Sequence, residues 1–378
     1  MTTPLPHHRS DGTSGAPALL LGPSLGTSLS LWDAQADALA RDFRVVRWDL
    51  PGHGGSSADL IAAGATVADL GRLVLDLADA LGMDRFAYAG VSLGGAVGSW
   101  LAVEHPERIT DLALICTSSD FGGTEPWRER AAFVRAKRDR AMAELADSAP
   151  ARWFTDGFEA PDRLIQDQRT ADPAAYAACC DALATFDLRG SLARITAPTL
   201  VLAGREDRAT PPPHARELAD GIAGSTLLEL PGAAHLAPVE QPRAVLDALR
   251  THLLRDRHTA GMTVRRAVLG DEHVDRAVAR TTAFTADFQD FITRYAWGEI
   301  WTRPGLDRRT RSCITLTALV AGGHHNELAM HVRAALRNGL TPDEIKEVLL
   351  QSAVYCGVPA ANSAFAVADA VLQEEADA

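Results

Sequence analysis

The amino-acid sequence predicts a mostly parallel α/β sheet with a helical insertion, followed by a separate all-α unit. Three observations carry this. Up to about residue 255, short β-favouring runs alternate with helical patterns, which implies a sheet covered by helices. Residues 122–190 break the alternation with a long polar helical stretch, and beyond about residue 263 the strand signals disappear.

Taken in order, the chain opens on "MTTPLPHHRSDGTSGAP", where the tandem His7 and His8 read as a disordered tail. The strand candidates are "ALLLG" (18–22), "FRVVRWD" (43–49), "RFAYAGV" (85–91), "DLALICTS" (111–118), "TLVLAGR" (199–205) and "TLLELPG" (226–232). Between them, "VADLGRLVLDLADALG" (67–82) sets Leu70, Leu73, Val74, Leu77 and Leu81 on one helical face. The insertion, with "PWRERAAFVRAKRDRAMAEL", Trp127 and Trp153, is expected to cap the strand ends. The polar "LLRDRHTAGMTVRRAVLGD" (253–271) reads as a crossing: a first domain over 1–255, a linker over 256–262, and an all-α domain over 263–378. "DFQDFITRYAWGEIW", "RRTRSCITLTALVAG", "NELAMHVRAALRNG", "TPDEIKEVLLQSAVYCG" and "ANSAFAVADAVLQEE" follow as helices. At "NGLTPDEI", Gly339 closes one helix, Thr341 caps the next, Pro342 suits its first position and Glu344 completes a capping box.

Composition narrows the partners. A formal charge of −12 over 378 residues argues against nucleic acid or an anionic membrane, while a local arginine pocket can still hold a small carboxylate. The five cysteines form no C-x-x-C pair, which reads as a reduced, cytoplasmic protein. No apolar stretch reaches membrane-spanning length.

"YAGVSLGGAVGSW" (88–100) packs a strand, a tight turn and a helix around Gly90-Val91-Ser92-Leu93-Gly94, a G-x-S-x-G elbow. A serine needs a base with an orienting acid to become a nucleophile. On this fold the chain order is Ser, acid, His. Asp207 in "LAGREDRATPP" and His235 in "PGAAHLAPVEQP" both follow strands and fall at the sheet's carboxyl end. Asp120, after the strand preceding the insertion, is the rival acid, and His53 in "DLPGHGGSS" reads as a structural loop histidine. The oxyanion donors expected are the backbone amides of Leu93 and Leu25, the latter between Gly22 and Gly26 on the loop after the first core strand.

"DLPGHGGSS", "GVSLGG", "GREDRATP" and "PGAAHLAPVEQP" resemble the α/β-hydrolase superfamily over roughly residues 15–255. The segment "SLGTSLSLWDAQ" is similar to 3-oxoadipate enol-lactonases, although Pro23 stands where those often carry Asn. The resemblance implies the triad Ser92, Asp207 and His235 with the Leu25 and Leu93 amides as oxyanion donors; the arginines of the expected cap, Arg128, Arg130 and Arg135, are separate candidates for holding a substrate carboxylate.

In the helical half, Leu328, His331, Val332, Ala335 and Leu336 share one face, with Glu327 one turn before His331. Phe288, Phe291, Ile292 and Tyr295 form a stripe that Glu299 continues. Ionisable groups on such faces are paired or functional, so a structural Glu–His pair or a surface-facing Glu299 stands as the bland alternative. Residues 263–374 closely resemble 4-carboxymuconolactone decarboxylase, part of a helical superfamily whose redox branch uses C-x-x-C ahead of a histidine. Here His324 and Glu327 stand at those positions, so disulfide chemistry is not expected; a metal held by His324, Glu327 and His331 is possible by spacing but not expected.

The resemblance implies decarboxylation, which needs no cofactor because the electron pair left by CO2 delocalises into the lactone; the residues nominated from their places in the sequence are His331 and Glu299 for the proton and Arg309 and Arg311 for anions, with Glu327 and Tyr355 in reserve. Together the halves imply two consecutive steps of the protocatechuate branch of the β-ketoadipate pathway, in a homo-oligomer formed through the helical domain. The alternative is a general esterase or C–C hydrolase carrying a non-catalytic helical oligomerisation module.

Overall fold

The computed structural model describes residues 4–303 and 305–376. The chain divides into two units, Met1–Leu253 and Leu254–Ala378.

The first unit is built on seven strands: β1 (His8–Asp11), β2 (Ala18–Gly22), β3 (Arg44–Trp48), β4 (Phe86–Val91), β5 (Ile109–Ile115), β6 (Thr199–Gly204) and β7 (Thr226–Leu230). Their order across the sheet is β1-β3-β2-β4-β5-β6-β7, parallel throughout except for β1. Leu20 pairs with Val46 on one side and Tyr88 on the other, and every residue of β4 and β6 is buried. Strands covered on both faces read as unbroken apolar runs, which is why these were legible in the sequence.

The helices of this unit are α1 (Asp33–Leu39), α2 (Val67–Ala80), α3 (Leu93–Glu104), α4 (Thr124–Lys137), α5 (Asp139–Trp153), α6 (Asp162–Thr170), α7 (Pro173–Ala184), α8 (Pro212–Gly221), α9 (Ala237–Glu240) and α10 (Pro242–Leu253). A capping box of Thr66 and Asp69 starts α2, which buries Leu70, Val74 and Leu77 as its spacing predicts. The insertion between β5 and β6 is the four-helix set α4–α7, the expected cap.

One correction concerns the chain's start. The supposed tail carries β1, with His8 opposite Trp48, and His7 Nδ1 lies 2.7 Å from Asp49 Oδ2. An edge strand draws its hold from backbone pairing, so its polar sequence gave no apolar signal.

The second unit contains α11 (Arg255–Leu269), α12 (Asp271–Ala279), α13 (Ala286–Ile292), a π-helical continuation (Thr293–Ile300), α14 (Arg308–Gly322), α15 (His325–Arg337), α16 (Pro342–Cys356) and α17 (Val358–Ala376). Leu316, Val320, Leu328, Val332, Ala335, Leu349 and Ala364 form one core; Val268, Val274, Trp297 and Ala334 form another. The joint at Gly339 to Glu344 is built as predicted: Gly339 has φ +90°, and Thr341 and Glu344 make the capping box ahead of α16.

Two expectations fail here. Residues 256–262 are not a linker but the first half of α11. Gly261 conceals this: a Cβ there would lie 2.1 Å from Thr293 O, so the helix meets the π-helical segment backbone to backbone. The stripe Phe288, Phe291 and Tyr295 is exposed, and Thr293 and Trp297 are buried in its place. The π-helical turn shifts which residues face inward, which a period of 3.6 does not foresee. Among the described residues no helix is long and apolar enough to cross a membrane.

Candidate functional site

Strand β4 delivers Ser92 to the mouth of α3 at φ 55° and ψ −117°. A non-glycine residue adopts this left-handed region only where its surroundings over-determine it. They do: Ser92 N donates to Ile115 O at 3.0 Å, and Thr117 Oγ1 donates to Ser92 O at 2.7 Å. The glycines beside it are needed for contact, since a Cβ on Gly90 would lie 2.3 Å from Gly94 C and one on Gly94 2.6 Å from Gly22 C. Leu93 is the first residue of α3, so its N–H has no partner inside the helix.

The acid and base come from the loops after β6 and β7. His235 Nδ1 donates to Asp207 Oδ2 at 2.9 Å, and both side chains are buried. The other Asp207 oxygen accepts the Ala209 and Thr210 amides at 2.7 and 2.9 Å, and Thr210 Oγ1 donates to Oδ2 at 2.8 Å. Burial pushes the Asp207 carboxyl upward, but the His235 charge and these hydrogen bonds outweigh it and hold the pKa below the ordinary value. With Nδ1 committed to Asp207, Nε2 is the imidazole nitrogen free to act as base. The His235 loop is tied to the cap by Glu240, which accepts Ala234 N at 2.6 Å and Thr155 N at 2.7 Å.

Ser92 and His235 open on one cavity of about 230 Å³, whose wall also includes Leu25 and Ser24 from the loop after β2. That loop is held from two sides. Asp49 Oδ1 accepts Leu29 N at 2.6 Å, and Asp167 Oδ2 on α6 accepts Ser28 Oγ and Ser30 Oγ at 2.5 and 2.9 Å. The rival acid Asp120 points elsewhere, accepting Gly123 N at 2.9 Å and pairing with Arg189 at 3.1 Å. His53 is a loop histidine, as expected: its Nδ1 donates to Pro51 O at 2.8 Å, and burial lowers its pKa.

Of the three cap arginines singled out from the sequence, only Arg130 lines the cavity. Arg128 lies along the exposed face of α4 with Glu125 at 3.4 Å, and Arg135 is paired with Asp181 on α7. The spacing of arginines along α4 does not tell which turn faces the sheet; docking does. Arg152, Gln168 and Arg208 were missed and do line the cavity. Arg208 had a usable signal, standing next to Asp207, whereas Arg152 had none.

In the second unit His331 is half-buried on α15, over Leu328, Val332 and Ala335 as predicted. Burial, then the neighbouring His273, pushes its pKa down to about 4, against the opposing pull of Glu327. The ring is therefore neutral at pH 7. His273, which carries no motif or periodic signal, lines a cavity with Arg276, Arg333 and Arg337.

The other predicted residues are dispersed. Glu299 pairs with Arg257 at 3.3 Å, Arg311 donates to Arg303 O at 2.9 Å, and Arg309 is bound to Glu344 and Gly339 O on a separate groove. Glu327, His324 and Tyr355 are exposed. One copy of the chain does not bring this set into a single cavity. Among the described residues, no three His, Cys, Asp or Glu side chains are grouped to hold a metal.

Comparison with known proteins agrees with this division. The alpha/beta hydrolase fold family matches residues 17–242, and the carboxymuconolactone decarboxylase family matches residues 286–370. Over 249 residues the chain is 35% identical to 3-oxoadipate enol-lactonase 2 of Acinetobacter baylyi, covering 65% of this chain and 91% of that protein. Over 118 residues it is 48% identical to 4-carboxymuconolactone decarboxylase of the same organism, covering 31% of this chain and 88% of the relative. The crystal structure of the enol-lactonase from Burkholderia xenovorans superimposes with a TM-score of 0.62 at 36% identity, over 65% of this chain and 95% of that one. The chain is thus a fusion, belonging to the α/β-hydrolase family through its first unit and to the carboxymuconolactone decarboxylase family through its second.

Proposed function

We propose that the chain is a bifunctional enzyme. Its second unit decarboxylates 4-carboxymuconolactone to 3-oxoadipate enol-lactone, and its first unit hydrolyses that lactone to 3-oxoadipate. The observation that carries this is the pairing of two regions, each similar to an enzyme whose chemistry adjoins the other's, on one chain in which Ser92 and His235 line one cavity and Asp207 holds His235 Nδ1.

In the first unit Ser92 attacks the lactone carbonyl while His235 Nε2 takes its proton, and Asp207 stabilises the imidazolium so formed. The Leu93 and Leu25 amides face the developing oxyanion. Collapse breaks the ring C–O bond. The leaving group is an enolate, which gains a proton to become the ketone and needs little acid assistance. Water activated by His235 then frees the acyl group from Ser92.

In the second unit the departing carboxylate sits on a ring carbon conjugated through a C=C bond to the lactone carbonyl. Loss of CO2 leaves its electron pair delocalised into a furan-type enolate, and one proton delivered to the far carbon completes the step. His331, Glu299 and Glu327 are the proton-handling candidates, and Arg309 and Arg311 the candidate anion holders. A homo-oligomer formed through the second unit is part of the same reading.

The test is to supply carboxymuconolactone to the wild type and to Ser92→Ala. The expected result is CO2 release by both, with the variant stopping at the enol-lactone. Continued formation of 3-oxoadipate by the variant removes Ser92 from the reaction. An absence of CO2 release in the wild type leaves a lactonase with a non-catalytic helical module.

A further inference from the structure

We propose that Thr117 is a positioning residue for the oxyanion hole: its hydroxyl holds the Ser92 carbonyl and thereby aims the Leu93 N–H at the far end of the same peptide. This rests on the reading of Ser92 as nucleophile and Leu93 as oxyanion donor, and it assigns the group that orients that donor.

The first support is the geometry of one peptide. Thr117 Oγ1 donates to Ser92 O at 2.7 Å, and Thr117 is 2% exposed. The Ser92 C=O and the Leu93 N–H belong to one planar trans unit and point in opposite directions. A donor that fixes the oxygen therefore fixes the hydrogen on the other side. Ser92 sits at φ 55° and ψ −117°, outside the regions that an L-residue ordinarily occupies, and ψ is the angle that swings the Leu93 N–H. Ala96 N also donates to Ser92 O, at 2.9 Å, from within α3. The Thr117 hydroxyl comes from the end of β5 instead, so the oxygen is held from two separate elements. A second donor on the carbonyl also polarises the peptide, which strengthens its N–H as a donor.

The second support is what the fold does to admit Thr117. The elbow pattern Gly90-Val91-Ser92-Leu93-Gly94 calls for two glycines, and this chain carries a third at Gly95. A Cβ on Gly95 would lie 2.6 Å from Thr117 Cβ, so the third glycine is what lets the threonine reach the elbow. Thr117 is in turn fixed by its neighbour. Cys116 is buried at φ 44°, its N donates to Leu202 O at 2.8 Å, and its Sγ donates to Ala234 O at 3.5 Å. Ala234 immediately precedes His235. Two adjacent residues after β5 thus hold the nucleophile's own carbonyl and the carbonyl before the base, which keeps the two in register.

The experiment uses the full chain and p-nitrophenyl acetate, an activated ester whose turnover needs the Ser92 site but not the assigned lactone. Thr117→Val removes the hydroxyl and keeps the branched shape, while Ser92 O retains its bond from Ala96. Loss of a whole oxyanion donor costs about 10²–10³ in kcat, so misaiming one should cost about tenfold or more, with KM within about twofold. Thr117→Ser keeps the donor and should recover most of the loss.

A short-chain trifluoromethyl ketone supplies a readout that a general structural role would not move. Ser92 Oγ adds to its carbonyl carbon, the carbonyl oxygen becomes the oxyanion, and the Ser92 proton passes to His235 Nε2. Its inhibition constant should rise in Thr117→Val by about the factor by which kcat/KM falls. That of the matching secondary alcohol, which forms no adduct, should not change. Unchanged kcat and ketone affinity in Thr117→Val overturn the role, as does a Thr117→Ser no better than Thr117→Val. Equal weakening of ketone and alcohol also overturns it, because it marks a cavity that has changed shape as a whole. Failure of the lactone assignment reads differently. A wild type that hydrolyses the acetate but not the enol-lactone removes that substrate alone, and the Thr117 effects on the acetate and the ketone then still carry the role.

Discussion

His331 and His235 show how burial sets the task of an imidazole. His235 is buried against a carboxylate and two further donors to it, so protonation during catalysis is compensated where it occurs. Asp207→Asn should therefore lower kcat by about 10⁴-fold, through loss of the correct tautomer, with little change in KM; a loss below about tenfold would take Asp207 out of the triad. Among the described residues His331 has no such carboxylate hydrogen bond. Its pKa, about 4 folded against 6.5 for the free side chain, means the unfolded chain binds the extra proton between those values. Stability of the second unit is then complete above pH 6.5 and falls as pH drops through that window, by up to about 3 kcal/mol. Hydrogen exchange of α15 in the full chain should lose protection between pH 7 and pH 5 in the wild type and lose less in His331→Gln. Equal losses would show that other groups, His273 first, carry the effect. At this scale the placement of Ser92, Asp207 and His235 was legible because each sits at a strand end, where sequence order and position coincide. Arg152 and Gln168 were not, because which turn of a cap helix faces the cavity is settled by docking against the sheet.

Among the elements, α6 is the one whose role exceeds its length. Asp167 reaches from it to Ser28 and Ser30, and accepts the Ser28 amide as well at 3.3 Å, so the loop carrying Leu25 is clamped by the cap. Charge-assisted bonds of this kind contribute about 1.5–3 kcal/mol where they are kept dry. Asp167→Ala should loosen the loop and lower kcat on the lactone about tenfold or more with KM nearly unchanged, and Asp167→Asn should restore part of it. A change confined to KM would mean that α6 shapes the cavity without aligning the loop. The elements the sequence foretold were those with one strong signal: the six parallel strands, α2, and the Thr341 capping box. Those it did not foretell lacked any. β1 pairs through its backbone, α11 hides its packing face behind Gly261, and the π-helical turn after α13 rotates the face that the aromatic stripe would have buried.

The whole molecule carries an unequal surface, and that inequality bears on assembly. Among the described residues the large apolar side chains left exposed fall in the second unit, with Leu227 the one exception. Phe284 is 95% exposed and Val354 74%, and Phe291 and Tyr295 stack at 5.5 Å on the open side of their helix. Large apolar surface left in water marks a protein interface. The dispersal of Glu299, Arg309 and Arg311 within one copy points the same way, since a site that a single chain does not gather can be gathered between copies. Size-exclusion chromatography with light scattering should find the full chain as an oligomer, and Phe288→Glu or Val354→Glu should shift it towards monomer. With that shift decarboxylation should fall by about tenfold or more, while lactone hydrolysis, whose residues all lie in the first unit, stays within about twofold. A wild type that is monomeric at micromolar concentration and still releases CO2 would mean that the second unit completes its site alone, and that its exposed aromatic side chains serve some other contact.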